Sequence, residues 1–119
     1  MQINRKVLVV DDETHIRSFI IDSLIEAGYD VFEASSGDEA LDVLHRESID
    51  CAVTDLSMPG TTDGEALVQI VRNERPLTKI IVISGKPRAG ALIEIADCFI
   101  TKPFAGDTIV GAVKLLLPG

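Results

Sequence analysis

The stretch VLVVDDETHIR, residues 7–17, sets a buried-strand pattern directly against a cluster of acids. Four aliphatic residues, three of them valine, read as a strand covered on both faces. They end in Asp11, Asp12 and Glu13, ahead of a helical pattern that begins near Ile16. Like charges at contact distance repel by about 1 kcal/mol in water and by several times that at a protein surface. A fold that gathers carboxylates at the tip of a core strand therefore calls for a positive partner at that place.

Outward from this stretch the same strand-then-helix alternation recurs. Short runs rich in β-branched or aromatic residues occur at KVLVV (6–10), YDVFEA (29–34), CAVTD (51–55), KIIVIS (79–84) and CFITK (98–102). Each predicts a strand. Ile16, Phe19, Ile20 and Leu24 mark a first helix, ended by Gly28. Ser36 with Glu39 forms a capping box ahead of Ala40, Leu41 and Leu44. Thr62 and Glu65 repeat that spacing before Ala66, Leu67, Ile70 and Val71, and Pro76 closes the segment. Ile109, Val110, Val113, Leu116 and Leu117 mark the last helix. Strands alternating with helices predict a doubly wound α/β fold, with a parallel five-stranded sheet and helices on both faces. Its crossovers are right-handed, and its functional crevice lies outside the carboxyl ends of the strands.

Composition agrees with this reading. The chain is 46% hydrophobic, with one Tyr, four Phe and no Trp, an aliphatic profile suited to strands buried on both faces. Its 119 residues read as one domain, 1–119, large enough to fold without a disulfide or structural metal. A formal charge of −8 argues against nucleic acid or a membrane surface as partner, and leaves a basic protein partner open. No apolar run reaches membrane-spanning length, and the N-terminus lacks a signal peptide's long apolar segment. The expectation is a soluble, cytoplasmic protein with no room after the last helix for an output domain. Cys51 and Cys98, each opening a predicted strand, are read as reduced core thiols. His15 and His45 lie on helical patterns and are read as surface or boundary residues, and no His/Cys cluster has zinc spacing.

The strand ends converge in such a sheet. The first delivers Asp11 and Asp12, the third Asp55, the fourth Ser84 and Gly85, and the fifth Lys102 followed by Pro103. The acids could merely cap helix N-termini beside a solvated lysine. The whole set instead suits a hard divalent cation, because Mg²⁺ takes oxygen ligands, often one or two carboxylates with phosphate oxygens. A carboxylate can also attack a phosphoryl group, while a cation, a hydroxyl and a lysine neutralise the transferring oxygens. Gly85, with no side chain, leaves room for that group.

The motifs VLVVDDE, VTDLSMPG, Ser84-Gly85 after KIIVI, and ITKPF stand in this order, each at a strand end. With them the chain resembles, over essentially its whole length, a stand-alone receiver domain of two-component response regulators. The resemblance implies a flavodoxin-like (CheY-like) three-layer α/β/α sandwich with strand order 2-1-3-4-5. It implies that Asp55 is the phosphoacceptor. Asp11, Asp12, Asp55 and the backbone carbonyl of Ser57 would bind Mg²⁺, with Mn²⁺ as a substitute. Ser84 would be the switch hydroxyl, Phe99 the aromatic switch, and Lys102 the lysine that contacts the phosphoryl group. Ser57 and Lys86 would flank the site and tune phosphoryl lifetime. The implied donor is a histidine kinase or a histidine phosphotransfer protein, and the only catalysis is of the protein's own phosphorylation and dephosphorylation. Phosphorylation would draw Ser84 inward, let Phe99 rotate, and repack an output surface for a downstream partner.

Two departures shape the expectations. The loop DLSMPGTTDG, turning at Pro59-Gly60, is one residue longer than the family's usual form, with Thr61 and Thr62 in place of an apolar residue. Ser84 to Lys102 is shorter than usual by about one helical turn, roughly 3.6 residues. Only ALIEIAD (91–97) there has helical character, which predicts a shortened or irregular fourth helix and a monomer or weak dimer. An aspartyl-nucleophile phosphatase would need a second acid where Ser57 stands. A flavin mononucleotide carrier would need a hydroxyl- and Gly-rich loop where DDE stands. Within the family, the alternative is a degenerate receiver that binds partners without being phosphorylated.

Overall fold

Each aliphatic run becomes a strand: β1 is Lys6–Val10, β2 Asp30–Ala34, β3 Cys51–Asp55, β4 Lys79–Ser84 and β5 Cys98–Thr101. The helices are α1 (Thr14–Glu26), α2 (Gly37–Arg46), α3 (Gly64–Glu74) and α4 (Gly106–Leu116). These elements belong to a computed structural model that describes residues 4–56, 64–85 and 95–118. The strands are all parallel, in the order β2-β1-β3-β4-β5. Strand order therefore reverses direction at β1, and the switch point opens beside the ends of β1 and β3.

Alternation within the strands divides the core in two. Leu8, Val10, Ile80 and Val82 pack with Ala40 and Leu44 of α2 and with Leu67 and Val71 of α3. Val7, Val9, Val53, Ile81 and Ile83 face the other way, against Ile20 and Leu24 of α1 and Ile109 and Val113 of α4. Burying one such side chain contributes about 1.5–3 kcal/mol. Domains of this kind are net stable by only about 5–15 kcal/mol, so these two layers carry the fold and the polar strand ends do not.

Helix ends follow local chemistry, with small departures from expectation. Gly28 takes a φ of 100° after α1. Its N–H donates to the Ile25 carbonyl at 3.0 Å, and the Tyr29 N–H to Leu24 at 3.1 Å. Tyr29 is thereby committed to the helix exit, which is why β2 begins at Asp30 and not at the tyrosine. Ser36 Oγ accepts the Glu39 N–H at 3.2 Å, as a capping box requires. Glu39 does not reciprocate to Ser36. Its Oε1 accepts from the Ser35 N–H at 2.8 Å and the Ser35 hydroxyl at 3.0 Å, since one residue there offers two donors. Phe19 lies at the rim of the core, 47% exposed, with its ring tilted against Phe104 at 6.3 Å between centroids.

The Pro59-Gly60 turn, the Thr62 cap, Ser57, Lys86 and most of ALIEIAD lie outside the described residues. Where the chain resumes, Arg72 of α3 donates to the Ile95 carbonyl at 2.7 and 3.1 Å and to Asp97 Oδ2 at 2.8 Å. Asp97 Oδ2 also accepts the Ile80 N–H at 2.8 Å, pinning the entry to β5. Among the described residues no helix is long and apolar enough to cross a membrane.

Both cysteines are free, but they are not equivalent core thiols. Cys51 is fully buried, and burial pushes its thiol up to about 12. Cys98 opens the edge strand β5 and is only half-buried, with a thiol raised mainly by that burial. In mild alkali an aromatic disulfide reagent is expected to label Cys98 in the native protein, and Cys51 only after unfolding. Equal labelling rates would contradict the placement of Cys51.

Candidate functional site

Strand register brings the polar ends level. Val10 pairs with Thr54, so Asp11 and Asp55 are the next residues along adjacent strands. Asp55 pairs with Ile83, just before Ser84, and Ser84 pairs with Thr101, just before Lys102. Asp11, Asp55, Ser84 and Lys102, scattered along the sequence, thus meet at one edge of the sheet.

Asp11 is 1% exposed, because α1 starts at Thr14 and folds the acids back over the strand ends. Its N–H donates to the Ala34 carbonyl at 3.1 Å, and its Oδ1 accepts the Glu13 N–H at 2.8 Å. Its Oδ2 is buried with no hydrogen-bond partner among the described residues. Asp12 is exposed beside it. Asp55 is buried at the end of β3, its carbonyl accepting the Thr54 hydroxyl at 3.0 Å and its Oδ2 accepting from Lys102 Nζ at 2.9 Å. Asp11, Asp12 and Asp55 each offer a carboxylate oxygen within 4.8 Å of the others.

The electrostatics favour a cation. Burial, first of all, pushes the Asp11 carboxyl above its ordinary value; the Glu13 N–H pulls it down, and the Asp55 charge raises it again. Burial alone would lower the Lys102 ammonium, but its bond to Asp55 and the charges of Asp55, Asp11 and Glu13 hold it above the usual lysine value. Among the described residues, three carboxylates stand against the one ammonium of Lys102, an excess of negative charge. Oxygen donors, an orphaned buried oxygen and that charge together fit a hard divalent ion such as Mg²⁺.

Around this centre lie those of the other candidate residues that fall among the described ones. Ser84 is buried at the end of β4, and its carbonyl accepts the Lys102 N–H at 2.8 Å. At Gly85 an added Cβ would meet nothing within 4 Å, so the space there is open. The Lys102–Pro103 peptide is cis. Phe99 is half-buried against the core layer of α2 and α3. Ser57 and Lys86 fall outside the described residues. A cleft of about 590 Å³ runs beside Lys102, walled by His15, Phe19, Gly85 and Phe104. His15, exposed as expected on α1, is therefore a wall of the approach to the site.

Gly64 was not among the candidates from sequence. It opens α3, and an added Cβ would overlap the Asp55 carbonyl oxygen and Leu56 Cα and lie 2.6 Å from the Leu56 carbonyl oxygen. Only a residue without a side chain lets α3 close onto the end of the strand that carries Asp55. A glycine at the head of a helix is the one signal that pointed to it.

The family model "Response regulator receiver domain" matches residues 7–114. Among solved structures, the chain is similar to a CheY-like response regulator receiver domain protein from Methanospirillum hungatei, at 27% identity. That match covers 97% of this chain and 94% of that one, with a TM-score of 0.89. It is similar to the response regulator TrrA from Thermotoga maritima, solved in complex with Mg²⁺-BeF, at 32% identity and a TM-score of 0.87, covering 94% and 98%. A Francisella response regulator receiver domain matches at 35% identity and a TM-score of 0.85, covering 95% and 96%.

Two outcomes follow from the geometry. A carboxyl whose folded value is raised stabilises fully below its unfolded value, about 3.9, and loses that contribution as pH rises through the folded value. At neutral pH the cation-free protein bears that loss at Asp11. Asp11→Asn is therefore expected to raise cation-free stability by about 1 kcal/mol and to remove most of the further rise on adding Mg²⁺, read by thermal melting. Gly64→Ala is expected to lose about 1–3 kcal/mol by overpacking, read as a lower urea midpoint with an unchanged slope.

Proposed function

The chain belongs to the response regulator receiver domain family, and from that premise we propose that it accepts a phosphoryl group on Asp55. The donor is a histidine kinase or a histidine phosphotransfer protein, and Asp11, Asp12 and Asp55 hold the Mg²⁺ that the transfer needs. One observation carries the reading: the Asp55 carboxylate lies 2.9 Å from the Lys102 ammonium, within a set of three carboxylates whose oxygens lie within 4.8 Å of one another. The complex of the Thermotoga maritima relative with Mg²⁺-BeF supports the choice of cation. The family's motif assigns the Ser57 carbonyl as the remaining protein ligand.

Each residue then has a task. The phosphodonor's side chain enters by the cleft beside Lys102. An Asp55 carboxylate oxygen bonds to phosphorus as the donor's N–P bond breaks and the imidazole leaves with the electron pair. Lys102 meets the charge on the phosphoryl oxygens, which it can reach from its place on Asp55. The bound cation supplies further neutralisation of those oxygens. Burial of Asp55, whose side chain is 8% exposed, limits the access of water to the acyl phosphate. The product brings about two negative charges beside the Ser84 hydroxyl. Ser84 turns inward, Phe99 rotates from its half-buried place, and the surface of β5 and α4 changes for a downstream partner. The same reading places the protein in the cytoplasm, acting through protein partners and turning over only its own phosphoryl group.

Incubation with acetyl phosphate or phosphoramidate and Mg²⁺ is expected to yield a single phosphoryl adduct by intact mass. Chelation of the metal or Asp55→Asn should abolish it. A chain that takes up no phosphoryl group from any donor would instead be a phosphorylation-independent interaction module.

A further inference from the structure

Arg17 takes no part in that chemistry, yet it bonds directly to the acid loop. From α1 its Nη1 donates to the main-chain carbonyl of Asp11 at 2.7 Å, and its Nε donates to Glu33 Oε1 at 2.9 Å. The guanidinium is largely covered, with the arginine side chain 14% exposed against 62% for Glu33. Its own backbone N–H donates to the Glu13 carbonyl at 3.0 Å, so the residue is anchored at both ends.

With Arg17 included, every polar atom of Asp11 but one is engaged among the described residues. The N–H is on Ala34, the carbonyl on Arg17, Oδ1 on the Glu13 N–H, and Oδ2 is left over. The Asp11 carbonyl is half of the peptide group that joins Asp11 to Asp12. Fixing that oxygen restrains the peptide plane, and with it the range of directions in which the exposed Asp12 side chain can leave the backbone. A guanidinium suits this task because its donors diverge at a fixed angle, one toward the loop and one toward the edge strand β2.

We propose that Arg17 is a positioning residue for the cation: it holds the Asp11–Asp12 peptide so that both carboxylates aim at one point, with Glu33 steadying its fork. This rests on the reading of Asp11, Asp12 and Asp55 as a Mg²⁺ site. Arg17 touches neither the metal nor the phosphoryl group, and acts through the backbone.

The test uses the whole chain, Mg²⁺ titration by calorimetry without any phosphodonor, and thermal midpoints with and without Mg²⁺. Arg17→Gln is expected to weaken Mg²⁺ binding about tenfold, as loss of a metal ligand's supporting bond commonly does. The Mg²⁺-induced rise in midpoint should shrink. Arg17→Lys should recover only part of the affinity, because one ammonium cannot hold the carbonyl and the glutamate as a rigid fork does. Glu33→Gln should weaken binding only about two- to threefold, since an exposed ion pair contributes little. Arg17→Gln that lowers both midpoints equally and keeps affinity within about twofold overturns the inference, leaving Arg17 a simple tie between helix and strand. Should Arg17→Gln not fold, wild-type affinity in both Arg17→Lys and Glu33→Gln overturns it. Failure of the unaltered chain to bind Mg²⁺ overturns the cation reading together with this inference, an outcome distinct from failure at Arg17 alone.

Discussion

Mutual repulsion among Asp11, Asp12 and Asp55 is the constraint to which the rest of the structure answers. Three carboxylates with oxygens inside 4.8 Å would move apart if the backbone allowed it. The backbone does not, because β1 and β3 are held in register between two aliphatic layers. Repulsion of a few kcal/mol is sustainable where burial of many side chains at about 1.5–3 kcal/mol each sets the strand positions. Lys102 answers part of the charge, and the oxygen donors around it suit a hard cation.

Much of this was legible in the sequence because a sheet covered on both faces leaves a plain record. Strands such as KIIVIS carry an unbroken aliphatic run, here Ile80 to Ile83, and the helices between them show the 3.6-residue spacing of one buried face. The convergence of Asp11, Asp55, Ser84 and Lys102 was legible for a related reason. In a parallel sheet every strand runs out at the same edge, so residues just past each apolar run become neighbours.

What escaped reading depends on distances between segments, which no periodicity records. Gly64 matters because of how closely α3 approaches the backbone of Asp55 and Leu56. Arg17 reads as an ordinary charged helix residue until its guanidinium is seen on the Asp11 carbonyl. Phe19 fits the apolar stripe of α1 but sits where the stripe drifts to the rim, beside Phe104. Cys98 resembles Cys51 in its position at a strand start, yet one lies in the middle of the sheet and the other on its edge. Edge and centre are properties of strand order, not of local sequence.

The bonds around Asp97 set a mechanical boundary. Arg72 and the Ile80 N–H fix the chain where it enters β5, and the Lys102 N–H on the Ser84 carbonyl ties the ends of β4 and β5 together. The carboxyl ends of β4 and β5 are therefore tied to each other, and the entry to β5 is tied to α3. With these ties in place, side chains along β4 and β5 can turn while the two strands stay in register. Phe99 sits two residues beyond Asp97, paired with Val82 of the strand that ends in Ser84. Movement across this edge is consequently a matter of torsion at fixed anchor points, and the anchors at the entry to β5 are set by an arginine and an aspartate.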